Sequence, residues 1–349
     1  MRIEEGVEAR EATMRTARIV EDGAAYYHVI SRVVGRAFVF HDDMERERFR
    51  KILRAVEGYS GVQILTYAIL SNHYHALVYI PERQDVRDGE FARRLLFLYD
   101  KMMVENLMAH VAGLRARGLD KEAEAVKAPY VRRMCDLAEF MKALKQRVSI
   151  SYNRRHGRVG TLWEERYKSM LVEGSPVGLS AVAAYIDLNP VRARLVKDPK
   201  DFRFTGYGEA MGGSKLARAG LGVALGEPGT WSEVAGRYRQ LLYVKGETQG
   251  VAAGGSPVRP GFSMEAVEQV AALKGKLPMN EMLRCRVRYF TDGVIFGSRA
   301  FVEDAFLRHR EHFSAKREEG ARAMKGGEWG DLFAARQLRV DVMGTPAPS

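Results

Sequence analysis

Two apolar runs separated by a short polar turn constrain the fold more than any other feature of this sequence. Residues 62–70 and 75–80 are rich in β-branched and aromatic side chains, and Ser71-Asn72 lie between them. The pattern predicts an antiparallel hairpin, because two strands joined by a two-residue turn run side by side. An earlier run of the same kind, at residues 26–32, predicts another strand.

A helix is predicted between this first strand and the hairpin. Apolar side chains recur there at helical spacing, at Phe49, Ile52, Leu53 and Val56. Helical patterning within residues 85–151 then supplies a second helix, and alternation within residues 160–172 supplies a fourth strand. We therefore expect an α+β fold, a ferredoxin-like split β-α-β-β-α-β sandwich with an antiparallel sheet.

The sequence divides into three predicted regions. A first domain spans residues 1–210 and carries a helical insertion at about residues 85–130, in which residues 112–127 are highly charged and have few large apolar side chains. Residues 211–260 are rich in glycine and predict a linker. Residues 261–342 predict a smaller, mainly helical module, with one helix around residues 264–273 and another after Gly297-Ser298. The arginines of this module fit a DNA-binding or dimer-forming element and equally the solvated surface of a small helical bundle.

The charge balance indicates an anionic partner. The chain has 55 Lys and Arg residues against 44 Asp and Glu residues, a net charge of +11, which favours binding to a polyanion such as nucleic acid. Cys135 and Cys285 have no spacing typical of a disulfide framework or a thiolate metal site. No apolar run approaches the roughly 18 residues of a membrane span. We expect a cytoplasmic protein without a membrane partner.

His73-Tyr74-His75 is the sharpest chemical feature of the sequence. In a strand, alternate side chains point to the same face, so both imidazoles would project together and Tyr74 would point away. Two neutral imidazoles suit a divalent cation that takes its remaining ligands from oxygen atoms. The same pattern also fits two half-buried histidines that are hydrogen-bonded within a sheet.

Tyr185 and Asn189 are one helical turn apart in a predicted helix that begins at Ser175-Pro176. A carboxamide oxygen is a reasonable third ligand for Mg²⁺ or Mn²⁺, and a phenol beside such a cation is a reasonable nucleophile toward phosphate. The alternative is structural, with Tyr185 in the core and Asn189 capping the helix before Pro190. Asp187 points to another side of the helix and is not counted as a ligand.

Basic residues are concentrated in residues 141–170, which contain eight Lys or Arg residues and two acidic ones. Aromatic residues lie among them, as expected where a protein follows a phosphate backbone and stacks on unpaired bases. A merely solvated surface is the competing interpretation. The predicted DNA-binding residues are Arg154, Arg155, Arg158, Trp163, Arg166, Tyr167, Lys168 and Arg192.

Residues 15–210 resemble the REP-associated tyrosine transposases, a branch of the HUH single-strand nucleases related to IS200-like transposases. The matching motifs are Arg18-Ile19-Val20, Tyr27-His28-Val29, Phe40-His41-Asp42-Asp43, Asn72-His73-Tyr74-His75, Gly160-Thr161-Leu162-Trp163, Arg166-Tyr167-Lys168-Ser169 and residues 185–193. The resemblance implies His73 and His75 as metal ligands, Asn189 as a third ligand and Tyr185 as the nucleophile. The middle motif residue is usually hydrophobic, whereas Tyr74 adds a hydroxyl group.

The resemblance also implies a reaction and a substrate. Tyr185 would cut single-stranded DNA and form a 5′-phosphotyrosine link, and the structured element would be a hairpin formed by palindromic repeats. No nucleotide cofactor is expected. The sequence leaves open whether one chain or a homodimer acts.

Other functions fit the sequence less well or remain open. A histidine-triad hydrolase would need a third alternate histidine, and Leu77 stands there. A two-histidine phosphoesterase would need paired His-x-Ser/Thr motifs, and His73-Tyr74-His75 does not have that pattern. A catalytically inactive, domesticated protein that binds DNA hairpins without cutting them remains an alternative.

Overall fold

The computed structural model describes residues 15–16, 18–226, 229–243, 277–284, 287–336, 338 and 340–341. Its central feature is a seven-stranded, mostly antiparallel open sheet. The strands are β1 (Ala25–Arg32), β2 (Gln63–Ile69), β3 (His73–Ile80), β4 (Lys168–Val172), β5 (Gly293–Ser298), β6 (Arg322–Ala323) and β7 (Leu332–Arg336). Their order in the sheet is β2-β3-β1-β4-β5-β7-β6. Two-residue strands pair Arg15–Thr16 with Val340–Asp341 and Leu277–Pro278 with Gly327–Glu328.

The first four strands have the predicted ferredoxin-like arrangement. β1 lies between β3 and β4, β2 lies outside β3, and all three pairings are antiparallel. The helices α1 (Asp43–Ser60) and α5 (Leu137–Arg155) pack on one face of these strands. Asp42 caps α1 by accepting a hydrogen bond from the backbone of Glu45 at 2.7 Å. The α+β fold class expected from the sequence is therefore confirmed.

A second layer of helices covers the other face of the sheet. It consists of α6 (Pro176–Asp187), α7 (Asn189–Arg192), α8 (Gly206–Met211), α9 (Lys215–Leu225) and α10 (Trp231–Leu242). The predicted start of α6 is observed, because the Ser175 side chain accepts a hydrogen bond from the backbone of Gly178 at 3.3 Å. The chain remains helical past Pro190, because α7, which contains this proline, follows α6 after Leu188.

Three helices occupy the segment where a helical insertion is predicted: α2 (Asp88–Leu95), α3 (Lys101–Arg115) and α4 (Asp120–Val131). Asp88 of α2 connects the three helices, because Arg115 of α3 and Lys127 of α4 donate to its carboxylate at 2.7 and 2.8 Å. Short 3-10 helices occur at Val34–Arg36, Pro199–Asp201 and Arg310–His312. None of the helices in the described part of the chain is long and apolar enough to cross a membrane.

The described part of residues 211–260 differs from the predicted linker. It contains α9 and α10, and Gly220 lies against β2, where an added Cβ atom would stand 2.6 Å from the carbonyl oxygen of Ile64. Glycine at this position permits close approach of a helix to a strand, so it does not mark a flexible connection here. Residues 244–260 lie outside the described residues.

The C-terminal part is not the separate, mainly helical module that the sequence predicts. It contains α11 (Met279–Arg284), α12 (Arg288–Asp292) and α13 (Arg299–Arg308), but β5, β6 and β7 join the same sheet as the N-terminal strands. β5 pairs parallel to β4, with Ile295 opposite Leu171. The predicted helix after Gly297-Ser298 is observed as α13, whereas the one at residues 264–273 lies outside the described residues.

Candidate functional site

Two histidines project from β3 toward the α6 side of the sheet. Tyr74 is buried in the core on the opposite side, among residues that pack against α1 and α5. Since strand side chains alternate, His73 and His75 share the other face, and their ring centroids lie 5.2 Å apart. In the pairing of β1 with β3, Arg32 stands opposite His73 and Ile30 opposite His75.

The α6–α7 segment brings Tyr185 and Asn189 to the same side. The Tyr185 ring lies 6.2 Å from the His75 ring. The Asn189 amide nitrogen donates to the backbone carbonyls of Tyr185 and Ile186, both at 3.2 Å. Because this nitrogen faces the helix backbone, the carboxamide oxygen points the other way and is the atom suited to a metal.

Asp187 lies apart from this group, as the helical spacing predicts. It is fully buried and accepts hydrogen bonds from the Thr66 hydroxyl, the Tyr238 hydroxyl and the backbone of Tyr207. Burial raises the pKa of its carboxyl from 3.8 to about 7, although the three donors oppose that rise. Asp187 is therefore a structural residue that joins β2, α6, α8 and α10.

His73, His75, Tyr185 and Asn189 line one cavity of about 470 Å³. Five cationic side chains also line it: Arg32, Arg36, Arg166, Lys168 and Arg192. Three acidic side chains line it as well: Glu164, Glu165 and Asp292. The cavity therefore combines potential metal ligands and a phenol with an excess of positive charge.

His28 is a residue of this site to which the sequence assigned no role. Its Nε2 atom lies 2.9 Å from Nδ1 of His75, and the two side chains are 1% and 3% exposed. Burial lowers the pKa of His28 to about 3, and a backbone interaction with Phe290 opposes this effect. Alternation along β1 puts His28 on the same face as Arg32, but only the strand pairing reveals that it meets His75.

The donor set fits a divalent cation. Burial, followed by the neighbouring charge of His28, lowers the pKa of His75 well below its usual value, so the ring is neutral. A neutral imidazole keeps one ring nitrogen as an electron-pair donor, and two imidazoles with a carboxamide oxygen suit borderline or hard cations. His309, Glu311 and His312 also have ligand atoms within 4.8 Å of one another, but none of them lines the cavity.

Similarity to known proteins is found over the strands that carry the histidines. Residues 23–89 match the family model described as Transposase IS200 like. This match includes His28, His73 and His75, ends before Tyr185, and supports the family resemblance drawn from the sequence over that segment.

A solved structure described as the REP associates tyrosine transposase bound to a REP hairpin is 13% identical, with a TM-score of 0.35 over 59% of this chain and 90% of that chain. No curated protein matches the sequence.

Tyr185 packs closely against two other side chains. The Arg192 guanidinium lies 4.0 Å from the ring centroid, and the Phe290 ring lies 4.7 Å away. The side chain is 2% exposed. Arg192 also donates hydrogen bonds to the backbone carbonyls of Tyr185 and Leu283. This predicted DNA-binding residue therefore helps to hold α7 against α6 and α11.

The other predicted DNA-binding arginines and lysines fall into two groups. Arg166 and Lys168 line the cavity beside the histidines. Arg154 and Arg158 are exposed near the end of α5 and do not line it, while Arg155 is paired with Glu45. The structure thus brings only part of the basic run to the metal-ligand candidates.

Trp163 and Tyr167 differ from the exposed stacking surfaces that the sequence predicts. Trp163 is 6% exposed, packs 5.6 Å from the Tyr74 ring and donates from its indole nitrogen to the Lys145 carbonyl at 3.0 Å. Tyr167 is also buried and lies under the Arg18 guanidinium at 4.1 Å. A buried ring has no face open to a nucleic-acid base, so both residues belong to the core.

Proposed function

We propose that this protein is a transposase-like, metal-dependent endonuclease and strand transferase that acts on single-stranded DNA. The observation that carries the proposal is the meeting of His73, His75, Asn189 and Tyr185 around one cavity, from a strand and a helical segment. The match of residues 23–89 to Transposase IS200 like supports a transposase-like role in DNA processing.

The cationic side chains would hold the DNA backbone. Arg166 and Lys168 stand on the segment that leads into β4, and Arg32 and Arg36 approach from β1 and the turn after it. Such residues position phosphates without reading the base sequence. An unpaired strand is the better substrate, because a phosphate in a duplex is less able to enter a cavity of this kind.

Tyr185 would act as the nucleophile. Its phenolic oxygen gives up its proton and forms a bond to phosphorus, the bond from phosphorus to the 3′ oxygen breaks, and the departing 3′ oxygen takes up a proton, so one proton is lost and one is gained. The product is a 5′-phosphotyrosine link, which a 3′-hydroxyl can later attack in the reverse sense. Mg²⁺ or Mn²⁺ held by His73, His75 and Asn189 would supply positive charge next to the phosphate oxygens. Arg192 adds positive charge beside the phenol.

The resemblance in motifs extends the proposal to the substrate. A hairpin formed by palindromic repeats would present the unpaired strand at its base, so we propose DNA hairpins of this kind as the partner. The surface arginines Arg154 and Arg158 are suited to the duplex part, since they are exposed and lie outside the cavity.

Covalent capture of DNA tests the assignment of the nucleophile. The protein is incubated with Mn²⁺ and a labelled oligonucleotide that carries a hairpin and an unpaired flank, and adducts are separated under denaturing conditions. Tyr185→Phe should abolish the adduct and keep DNA binding within a few-fold. Tyr79→Phe is the matched control, because Tyr79 is half-buried on β3 and does not line the cavity. An adduct that survives in Tyr185→Phe would contradict the assignment.

A second candidate function is DNA-hairpin binding without cleavage. The burial of Tyr185 favours it, since the side chain is 2% exposed and packs against Arg192 and Phe290, whereas cleavage requires a phosphate to reach the phenol oxygen. The same experiment separates the two functions. Tight binding of the hairpin by the wild-type protein, with no adduct at any Mn²⁺ concentration, would favour the binding protein.

A further inference from the structure

The hydrogen bond between His28 and His75 has a direction that matters for metal binding. Nε2 of His28 and Nδ1 of His75 are 2.9 Å apart, and both rings are buried. A charged imidazole is costly in such surroundings, so both rings are neutral. Each neutral ring carries one N–H group, and one ring must therefore donate while the other accepts.

The position of His28 decides the direction. Its Nε2 atom faces Nδ1 of His75, so Nε2 is the ring nitrogen of His75 that is left for a cation. In a neutral ring, Nε2 has a lone pair only if Nδ1 carries the hydrogen. As a metal ligand, His75 therefore donates from Nδ1, and Nε2 of His28 accepts.

We propose that His28 is a positioning residue that fixes the tautomer of His75, so that Nε2 of His75 keeps the lone pair that a metal requires. In the opposite tautomer, Nε2 of His75 would carry a hydrogen and could not be a ligand. The inference deepens the proposed function and rests on it, since it takes His75 to be a ligand.

A histidine suits position 28 better than a carboxylate does. Ligating histidines usually hold their second ring nitrogen against an acceptor, which orients the ring. A carboxylate could accept this hydrogen bond in polar surroundings. Position 28, however, is 1% exposed and lies against the Tyr185 ring, at a centroid distance of 6.3 Å. An uncharged acceptor meets the requirement there without burying an additional charge.

Nitrogen NMR of the histidine rings tests the tautomer directly. The full chain is labelled with ¹⁵N-histidine, stripped of metal and measured without DNA, and the His75 signals are assigned from their loss in His75→Gln. We expect a protonated Nδ1 and an unprotonated Nε2 in His75 of the wild-type protein. A protonated Nε2 in His75 would overturn the proposal. This measurement needs no active enzyme and no substitution at position 28.

Metal affinity tests the consequence. Mn²⁺ binding is followed by the loss of the free-ion electron paramagnetic resonance signal. His28→Phe should weaken Mn²⁺ binding on the order of 10- to 100-fold, while His28→Gln should recover part of that loss because its carbonyl oxygen can accept from His75. His110→Phe, an exposed position on α3, is the control and should bind Mn²⁺ like the wild type. Unchanged Mn²⁺ affinity in a folded His28→Phe would overturn the proposal.

The outcomes also separate this inference from the proposed function. If the wild type forms a DNA adduct but His75 has the opposite tautomer, only the role of His28 is refuted. If the tautomer and the Mn²⁺ affinities follow the expectation but no adduct forms, the role of His28 stands and strand transfer is refuted. A purely structural role of His28 would lower the melting temperature of His28→Phe and leave Mn²⁺ affinity unchanged.

Discussion

The buried carboxyl of Asp187 should make the stability of this protein depend on pH. Its pKa is raised from 3.8 to about 7 by burial, so the folded chain keeps a proton that the unfolded chain has already released. A carboxyl with a raised folded-state pKa contributes its stability in full below about pH 4, and that contribution is lost as the pH rises to 7. A shift of about three units corresponds to about 4 kcal/mol.

Asp187→Asn isolates this effect. The Asn oxygen can still accept from the Tyr207 backbone, which lies 3.1 Å from the carboxylate in the wild type, and the Asn amide can donate to the Tyr238 hydroxyl. The variant cannot ionise, so its free energy of unfolding lacks the contribution of this group. The stability of the wild type relative to Asp187→Asn should therefore fall by about 4 kcal/mol between pH 4 and pH 7.5.

Urea unfolding followed by circular dichroism at half-unit steps of pH measures this difference. Other groups with shifted pKa values, such as Asp88 and His28, are present in both proteins and cancel in the comparison. Asp42→Asn removes a partly exposed carboxylate at the start of α1, where Asn caps equally well, and controls for the loss of one negative charge. A difference between wild type and Asp187→Asn that stays constant from pH 4 to pH 7.5 would refute the reasoning.

Two further predictions concern the basic and aromatic residues near the cavity. Trp163→Ala should lower the free energy of unfolding by about 3–5 kcal/mol, because a buried indole is removed from the core; a fully stable variant with weaker DNA binding would instead identify a base-stacking ring. Arg166→Ala should weaken hairpin binding and reduce the slope of log affinity against log salt by about one, whereas Arg93→Ala, at an exposed arginine of α2, should leave both unchanged.

The N-terminal half of the sheet could be predicted because its signals are local. The hairpin is specified by alternation and a two-residue turn, and α1 by its cap at Asp42 and its end at Gly61, which has a positive φ of 72°. Strand periodicity puts His73 and His75 on one face of a strand, and helical spacing puts Tyr185 and Asn189 on one face of a helix. These features depend on neighbouring residues in the sequence, so no knowledge of distant contacts was needed.

The features that the sequence did not reveal depend on contacts between distant segments. β5 has only six residues, and its strand conformation is completed by pairing with β4, more than a hundred residues earlier. His28 contacts His75 because of the register in which β1 pairs with β3. Trp163 lies in a basic run, and composition does not tell whether an indole in such a run faces the core or the solvent. Its burial against Tyr74 depends on the three-dimensional packing.

By pairing with β4, β5 covers an edge of the sheet that a strand of a neighbouring molecule could otherwise occupy. Without it, β4 would end the sheet with unpaired backbone groups, and exposed edges of this kind attract strands from other chains. The same segment carries Phe290, which packs on Tyr185. A chain that ends before β5 would therefore lose both the strand that covers the edge of β4 and the ring that packs on Tyr185.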